Sequence, residues 1–145
     1  MNVNQKGALG LIEVIRDLTK NGYECFTPVH DYSPVDLIVM DKCYNTFKLQ
    51  VKYREQYRGY IDVAFRSMVN GSGVPINFGA IDGWAVFCPE VDSVVYIGKH
   101  EVDLNKNGFS FRLVEGKASV NHSKQKRKLY TEFGTLAEWS KAPSC

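Results

Sequence analysis

Acid, amide and ammonium groups occur at controlled spacing between residues 35 and 54. Asp36 opens a short apolar run, while Gln50 and Lys52 alternate with apolar residues in a second run. Successive side chains of a strand point to opposite faces, so Gln50 and Lys52 share one face. A carboxylate and an amide oxygen are ligands for a hard divalent cation, and an ammonium group stabilises negative charge that develops nearby. These residue types indicate a metal centre with a cationic group beside it.

A β-hairpin is the element that must position these groups. Residues 36–40 read as its first arm and residues 47–52 as its second, joined by the polar connection 41–45. A connection symmetric about Cys43 places Asp36 directly across from Gln50, where cross-strand Cβ atoms are about 5 Å apart. The spacing therefore predicts that Asp36 and Gln50 share one cation. Taken singly, Asp36 also fits an ordinary turn residue, and the alternating polar residues fit a solvated sheet face.

Three motifs occur in the order of a known family. The segments are Lys6 to Gly10 at the start of a helix, Val35-Asp36 before a strand, and Gln50-Val51-Lys52 within a strand. In this order the chain resembles the PD-(D/E)XK homing endonucleases associated with group I introns, especially the cyanobacterial tRNA-intron type. The resemblance covers residues 1–90 well and the remainder weakly. It implies an α/β fold: one restriction-endonuclease-like domain over residues 1–145, with a mixed central β-sheet flanked by helices.

The resemblance also implies an activity. Its members cut double-stranded DNA at specific sites, so we expect Mg²⁺ or another divalent cation as cofactor and double-stranded DNA as partner. Asp36, Gln50 and Lys52 match the catalytic positions, and the Gln50 amide oxygen and the Val51 carbonyl would join Asp36 as metal ligands. The resemblance implies a homotetramer. The need for two cleavage sites by itself implies only a symmetric oligomer, with a dimer as the other candidate.

The first helix departs from the family pattern. Family members place a glutamate after the motif Lys-Gly-X-X-Gly, but Leu11 stands there in this chain, and Glu13 is the nearest acid. A helix over residues 7–21 with Ala8, Leu11, Ile12, Ile15 and Leu18 on its apolar face would aim Glu13 towards solvent, about 200° from Leu11. We therefore keep Glu13 as a candidate catalytic acid that needs a helix shifted in phase.

Composition and charge favour a polyanionic partner. The chain has 145 residues, of which 44% are hydrophobic and 23% charged, as in a soluble globular domain. Basic residues concentrate between 99 and 128, and residues 54–60 interleave arginine with tyrosine. We expect DNA contacts from the following residues: Arg54, Tyr57, Arg58, Arg66, Arg112, Lys124, Lys126, Arg127 and Lys128.

Other sequence features bear on location and on the remaining elements. No signal-peptide core is present, and Cys25, Cys43, Cys88 and Cys145 are scattered without metal-ligand spacing, so we expect reduced thiols and a cytoplasmic, nucleoid-associated protein. Further strands are predicted at 23–28, 60–66, 81–89, 94–97 and 109–113, with a flexible excursion at 68–75 and a structural role for Asp82.

Two alternatives stay open at this point. A Holliday junction resolvase or a restriction-type nuclease would use the same core on a different DNA substrate. A non-catalytic DNA-binding module is the second alternative, because Gln50 in place of an acid and Leu11 in place of a glutamate are also what a decayed site would show.

Overall fold

The structure is a computed structural model that describes residues 1–30, 32–69, 72–114 and 127–139. Lys124 and Lys126, two of the predicted DNA contacts, lie outside the described residues. Within these ranges the chain forms one α-helix and nine strands. They are α1 (Val3–Lys20), β1 (Glu24–Phe26), β2 (Leu37–Met40), β3 (Thr46–Tyr53), β4 (Tyr60–Ala64), β5 (Arg66–Val69), β6 (Ser72–Pro75), β7 (Gly83–Cys88), β8 (Ser93–Gly98) and β9 (Gly108–Arg112).

A mixed five-stranded sheet is the centre of the fold, in the order β1-β2-β3-β7-β8. β3 and β7 pair in parallel, and the other neighbours pair antiparallel. The α/β class with a mixed sheet is therefore confirmed. Helices do not flank both faces in the described residues, however. α1 covers one face, and the ribbon formed by β4 and β9 packs its apolar side on the other.

The β2–β3 hairpin has the predicted register. Leu37 pairs with Leu49 and Val39 with Phe47, which puts residue 36 opposite residue 50. The turn supports this register, because the Asp41 carboxylate accepts hydrogen bonds from the backbone N–H groups of Cys43 and Asn45 at 2.9 Å each. These bonds, together with one from the Asn45 side chain, also lower the pKa of Asp41.

The two faces of β3 meet different surroundings. Phe47 and Leu49 pack with α1, in a core cluster that contains Val14 and Leu18. The alternating positions Lys48, Gln50 and Lys52 lie on the opposite face, as the period of two requires. On that face the neighbouring strand β7 contributes Trp84 and Val86 to a second cluster. The strand that carries the candidate site thus separates two apolar cores.

α1 begins earlier than predicted and buries a different stripe. Its start at Val3 is set by a capping box, in which Asn2 and Gln5 exchange hydrogen bonds with each other's backbone. Its end precedes Gly22, whose φ of 86° favours glycine. The buried residues are Gly10, Val14 and Leu18, whereas Ala8 is exposed and Ile12 is 59% exposed. The predicted apolar face was therefore wrong at Ala8 and Ile12, whereas Leu18 is buried and Leu11 and Ile15 pack partly buried on the same core.

The crossover between the parallel strands β3 and β7 contains strands where an α-helix is common. The strand predicted at 60–66 is divided at Phe65 into β4 and β5. Of the expected flexible excursion at 68–75, residues 68–69 belong to β5 and residues 72–75 to β6, and these two strands pair antiparallel. β7, β8 and β9 lie where strands were predicted, and β7 and β8 form the expected hairpin.

Two further expectations concern the cysteines and membrane-spanning segments. Cys25 and Cys88 are free thiols, but Cys43 is disulfide-bonded, so the expectation of reduced cysteines was wrong at Cys43. No helix in the described ranges combines the length and apolar character that crossing a membrane requires.

Two glycines of α1 provide a test of how the helix packs. A Cβ at Gly10 would lie 3.2 Å from the Cβ of Tyr53 on β3, whereas a Cβ at Gly7 would meet nothing within 4 Å. We expect Gly7→Ala to raise the free energy of unfolding by about 0.5–1 kcal/mol through helix propensity. Gly10→Leu should lower it by about 1–3 kcal/mol through overpacking. Denaturant titration of both variants checks this, and equal effects would contradict the close approach of α1 to β3.

Candidate active site

Asp36 lies immediately before β2 and is held by backbone groups of β3. Its own N–H donates to the Leu49 carbonyl at 2.9 Å, and its carboxylate Oδ2 accepts the Val51 N–H at 2.8 Å. Burial raises the pKa of Asp36, while the Val51 hydrogen bond and the charge of Lys52 act in the opposite direction. Burial therefore disfavours the charged carboxylate, and a cation beside it would offset this effect.

Among the described residues, Gln50 is the only buried polar or charged residue, with 3% of its surface exposed. Its amide nitrogen Nε2 donates to the Pro34 carbonyl at 3.5 Å, and its oxygen Oε1 has no hydrogen-bond partner within the described ranges. An unsatisfied buried acceptor costs on the order of 1–3 kcal/mol. The Gln50 oxygen therefore requires a cation or a water molecule as its partner, at the position across from Asp36.

Lys52 lies two residues further along the same face of β3. Its ammonium Nζ donates to the backbone carbonyl of Arg66 at 3.4 Å. Burial lowers the pKa of Lys52, the charge of Arg54 lowers it further, and Asp36 opposes both effects. Lys52 therefore gives up a proton more readily than a solvated lysine does.

An open cavity of about 390 Å³ lies beside Asp36. Its wall on the helix side is formed by Gly7 and Leu11, and its other walls come from residues 27–30, Ser33, Val35 and Val51. Leu11 stands at the helix position where the resembling family carries its glutamate, so the corresponding point of this wall is apolar. His30 also lines the cavity and stacks on the ring of Tyr32 at 5.2 Å.

Glu13 lies on a different side of α1 from Leu11. It contacts Arg16 at 3.8 Å, and it is absent from the residues that line the Asp36 cavity. Its helical stripe includes Asp17, whose carboxylate accepts a hydrogen bond from the Tyr96 hydroxyl of β8. The Glu13 side chain is 24% exposed, whereas the predicted orientation of the helix aimed it at solvent. It is less exposed because the buried stripe of α1 runs through the neighbouring Val14. The structure does not bring Glu13 to Asp36.

The donors at this site fit a hard cation. No cluster of three or more His, Cys, Asp or Glu side chains able to hold a metal occurs in the described part of the chain. The available donors are instead the Asp36 carboxylate and the partnerless Gln50 oxygen, both oxygen ligands of the kind Mg²⁺ prefers. Val51 contributes its N–H to Asp36, and its carbonyl stays a predicted ligand.

Two of the predicted DNA contacts, Arg54 and Arg66, lie near Lys52. Arg54 follows β3, donates from Nη1 to the Tyr53 carbonyl at 2.8 Å, and has its pKa lowered by burial. Tyr57 and Arg58 are exposed, with the Arg58 guanidinium 5.2 Å from the centre of the Tyr57 ring. Arg66 is exposed and is tied to Lys52 through its carbonyl.

The remaining described contacts gather beside β9. Arg112 donates from Nε to the Arg127 carbonyl at 2.8 Å, and its N–H donates to the Lys128 carbonyl at 2.8 Å. A parallel bridge between Arg112 and Leu129 completes this short pairing. Lys128 is exposed, with its ammonium 5.1 Å from the centre of the Phe133 ring.

The sequence indicated only some of the hydrogen bonds between side chains and the backbone around the site. The structural role expected for Asp82 is supported, since its carboxylate accepts the Lys48 N–H at 2.7 Å. Lys99 donates to the Phe78 carbonyl at 2.9 Å, which ties residue 78 to the end of β8. Sequence spacing gives no signal for such bonds, because they join residues that only the folded chain brings together.

Comparison with known proteins gives a consistent result. A family model described as PD-(D/E)XK endonuclease matches residues 1–133. Among solved structures, the chain is similar to a bacterial homing endonuclease, I-Ssp6803I, with a TM-score of 0.65 and 16% sequence identity over 92% of this chain and 88% of that chain. At this identity the likeness shows the fold. No curated protein matches the sequence.

The buried carboxylate gives a pH-dependent prediction. Because the pKa of Asp36 is raised in the folded state, its contribution to stability is lost as the pH rises through that pKa. We therefore expect Asp36→Asn to melt at a higher temperature than the wild type at neutral pH, with the difference closing in acid. Asp41→Asn is the control with the opposite sign, because the pKa of Asp41 is lowered. Thermal melts across pH check both, and an Asp36→Asn variant less stable at neutral pH contradicts the expectation.

Proposed function

Because this chain belongs to the PD-(D/E)XK endonuclease family, we propose that it is a Mg²⁺-dependent, site-specific endonuclease that cuts both strands of DNA in intron homing. The observation that carries the proposal is that Asp36 lies across from Gln50, on the sheet face that also carries Lys52. The Gln50 oxygen has no partner among the described residues, and burial lowers the pKa of Lys52. The fold shared with a bacterial homing endonuclease supports the same activity.

The metal would be held by Asp36 and Gln50, with the Val51 carbonyl as a third donor. When bound, a divalent ion supplies charge neutralisation at the phosphate and lowers the pKa of a coordinated water. The chain prepares this site with backbone groups. The Val51 N–H donates a hydrogen bond to the Asp36 carboxylate. The Gln50 amide nitrogen donates to the Pro34 carbonyl, so the amide oxygen points away from Pro34.

Lys52 would serve the reacting phosphate. As an ammonium ion it stabilises the negative charge that builds up on phosphate oxygens, and as a neutral amine it accepts a proton from the attacking water. Its lowered pKa makes the second role accessible, and its bond to the Arg66 carbonyl holds the amine in place for either role.

The partners follow from the reaction. Cleavage of both strands needs two copies of the site, so the protein would act as a symmetric homo-oligomer, a tetramer or else a dimer. Arg54, Tyr57, Arg58 and Arg66 would contact DNA near the cut, and Arg112, Arg127 and Lys128 would fix register on the backbone. Lys124 and Lys126 belong to the same proposal. Such an enzyme would work in the cytoplasm, at the nucleoid.

One observation favours a second candidate, a DNA-binding module with a decayed site. Asp36 is the single acid among the described residues that line the cavity, and Leu11 leaves the helix wall apolar. Titration of Mg²⁺ in the presence of duplex DNA separates the candidates, because a binding module gives salt-dependent affinity without cleavage products. Comparing linear duplex with four-way junctions separates a homing enzyme from a junction resolvase.

Replacement of Lys52 tests the catalytic assignment. We expect Lys52→Ala to lower the cleavage rate by at least about a hundredfold, because charge stabilisation at the phosphate is lost. DNA affinity measured without Mg²⁺ should stay nearly unchanged. Lys48→Ala is the matched control, since Lys48 lies on the same face of β3 and its ammonium makes only a long contact, 3.5 Å, to the Gly79 carbonyl. Cleavage at the wild-type rate by Lys52→Ala would show that the assignment is wrong.

A pair of helix variants tests which side of α1 serves the site. Leu11→Glu adds a carboxylate to the wall of the Asp36 cavity, so we expect half-maximal cleavage at a Mg²⁺ concentration several-fold lower than in the wild type. Glu13→Gln should leave the Mg²⁺ dependence unchanged, because Glu13 contacts Arg16 instead of the cavity. Loss of cleavage in Glu13→Gln would show that α1 rearranges when DNA binds.

A further inference from the structure

Two buried polar atoms without partners occur at adjacent positions of the central sheet. Gln50 on β3 pairs directly with Trp84 on β7 in the parallel register. The Gln50 oxygen Oε1 and the Trp84 indole nitrogen Nε1 both lack a hydrogen-bond partner within the described residues. One atom is an acceptor and the other is a donor, so each has what the other requires.

Both side chains lie on the same face of the sheet. Directly paired residues of neighbouring strands point to one side, and Trp84 belongs to the core cluster on the face opposite α1. Trp84 is 0% exposed and Gln50 is 3% exposed, so bulk water satisfies neither atom. Their shared surroundings are therefore closed to bulk water, and an unpaired donor and acceptor are both unfavourable there.

The indole ring is held in one orientation by aromatic neighbours. Phe109, Phe65 and Phe78 lie around it with ring centroids 5.1, 5.2 and 6.4 Å from that of Trp84. A ring packed in this way does not turn to seek another acceptor. The Gln50 amide is oriented from its other end, where Nε2 donates to the Pro34 carbonyl.

We propose that Trp84 is a positioning residue for Gln50, whose indole N–H donates through one buried water to the Gln50 oxygen. A direct bond is not formed, and a buried water with a donor on one side and an acceptor on the other is the usual way in which such groups are satisfied. An amide oxygen accepts two hydrogen bonds or ligands, so the second lone pair stays open to a cation.

The inference deepens the proposed function and rests on it where the metal is concerned. Trp84 does not touch the cation. Its N–H keeps the Gln50 oxygen aimed at the position across from Asp36, as outer partners do for metal ligands in general. Sequence patterns identify Trp84 only as a core residue. The role of its indole N–H depends on Gln50, its cross-strand neighbour, which only the folded chain brings beside it.

The spectroscopic test does not depend on cleavage. The chain contains two tryptophans, so ¹⁵N-tryptophan labelling gives two indole signals, and Trp139→Phe assigns them. Trp139 is the matched control, because its Nε1 also lacks a partner among the described residues while its ring packs on Phe47 and His100. We expect Gln50→Leu to move the Trp84 indole proton upfield and speed its exchange with solvent, and to leave the Trp139 signal in place. An unmoved Trp84 signal overturns the proposal.

The functional test uses the tryptophans themselves. Trp84→Phe keeps an aromatic ring and removes the N–H, and we expect the Mg²⁺ concentration for half-maximal cleavage to rise about 10–100-fold. The maximal rate at saturating Mg²⁺ should be retained. Trp139→Phe should leave the midpoint unchanged, and melting curves show that both variants fold. An unchanged midpoint in a folded Trp84→Phe protein overturns the proposal.

The two tests separate the inference from the proposed function. If the wild type never cleaves DNA but Gln50→Leu moves the Trp84 signal, the proposed function fails and the pairing of Trp84 with Gln50 stands. If the wild type cleaves DNA and the signal does not move, the function stands and the pairing fails. Should Trp84→Phe not fold, the indole signals of the Trp139→Phe and Gln50→Leu proteins decide the question.

Discussion

The hydrogen bond from the Val51 backbone to the Asp36 carboxylate is the interaction on which the site depends. A carboxylate that is largely withdrawn from water needs a donor, and a main-chain N–H in the middle of a sheet is a donor that cannot move away. This bond requires β2 and β3 to pair in one register only. A slip of one residue would turn Asp36 to the face that packs on α1 and would leave Gln50 without its cross-strand acid.

The strand β3 also carries the second constraint, since its two faces belong to two cores. Its apolar face accepts α1, which approaches closely at Gly10, and this approach sets the wall of the cavity at Gly7 and Leu11. Its polar face carries Gln50 and Lys52 and is continuous with the face of β7 that bears Trp84 and Val86. Ionisable and amide groups enclosed in this way reduce stability, which is the usual cost of preparing groups for catalysis.

Lysine side chains tie the long crossover between β3 and β7 to the sheet through main-chain carbonyls. Lys52 donates to residue 66, Lys48 makes a longer contact to residue 79, and Lys99 donates to residue 78. Lys52 and Lys48 therefore contact crossover carbonyls from β3, and Lys99 does so from the end of β8. These contacts add to the apolar packing of crossover residues such as Ile61, Val63 and Phe65, and the bond from Lys52 places the Arg66 carbonyl beside it.

The sequence alone determined the hairpin, its register and the face shared by Asp36, Gln50 and Lys52. Strand alternation and a turn symmetric about Cys43 are local properties, and a period of two leaves only two choices of face. The strands β7, β8 and β9 were predictable for the same reason. The motif order also indicated the family, which the match over residues 1–133 bears out.

Only the tertiary structure decided which residues surround Asp36, Gln50 and Lys52. α1 has apolar residues on more than one side, and contact with the sheet selected the stripe of Gly10, Val14 and Leu18 over the one through Ala8 and Ile12. In this orientation of α1, Leu11 lines the cavity and Glu13 contacts Arg16. The pairing of Gln50 with Trp84 likewise joins residues far apart in the chain, and long-range pairing depends on how complete surfaces fit together, which no local pattern records.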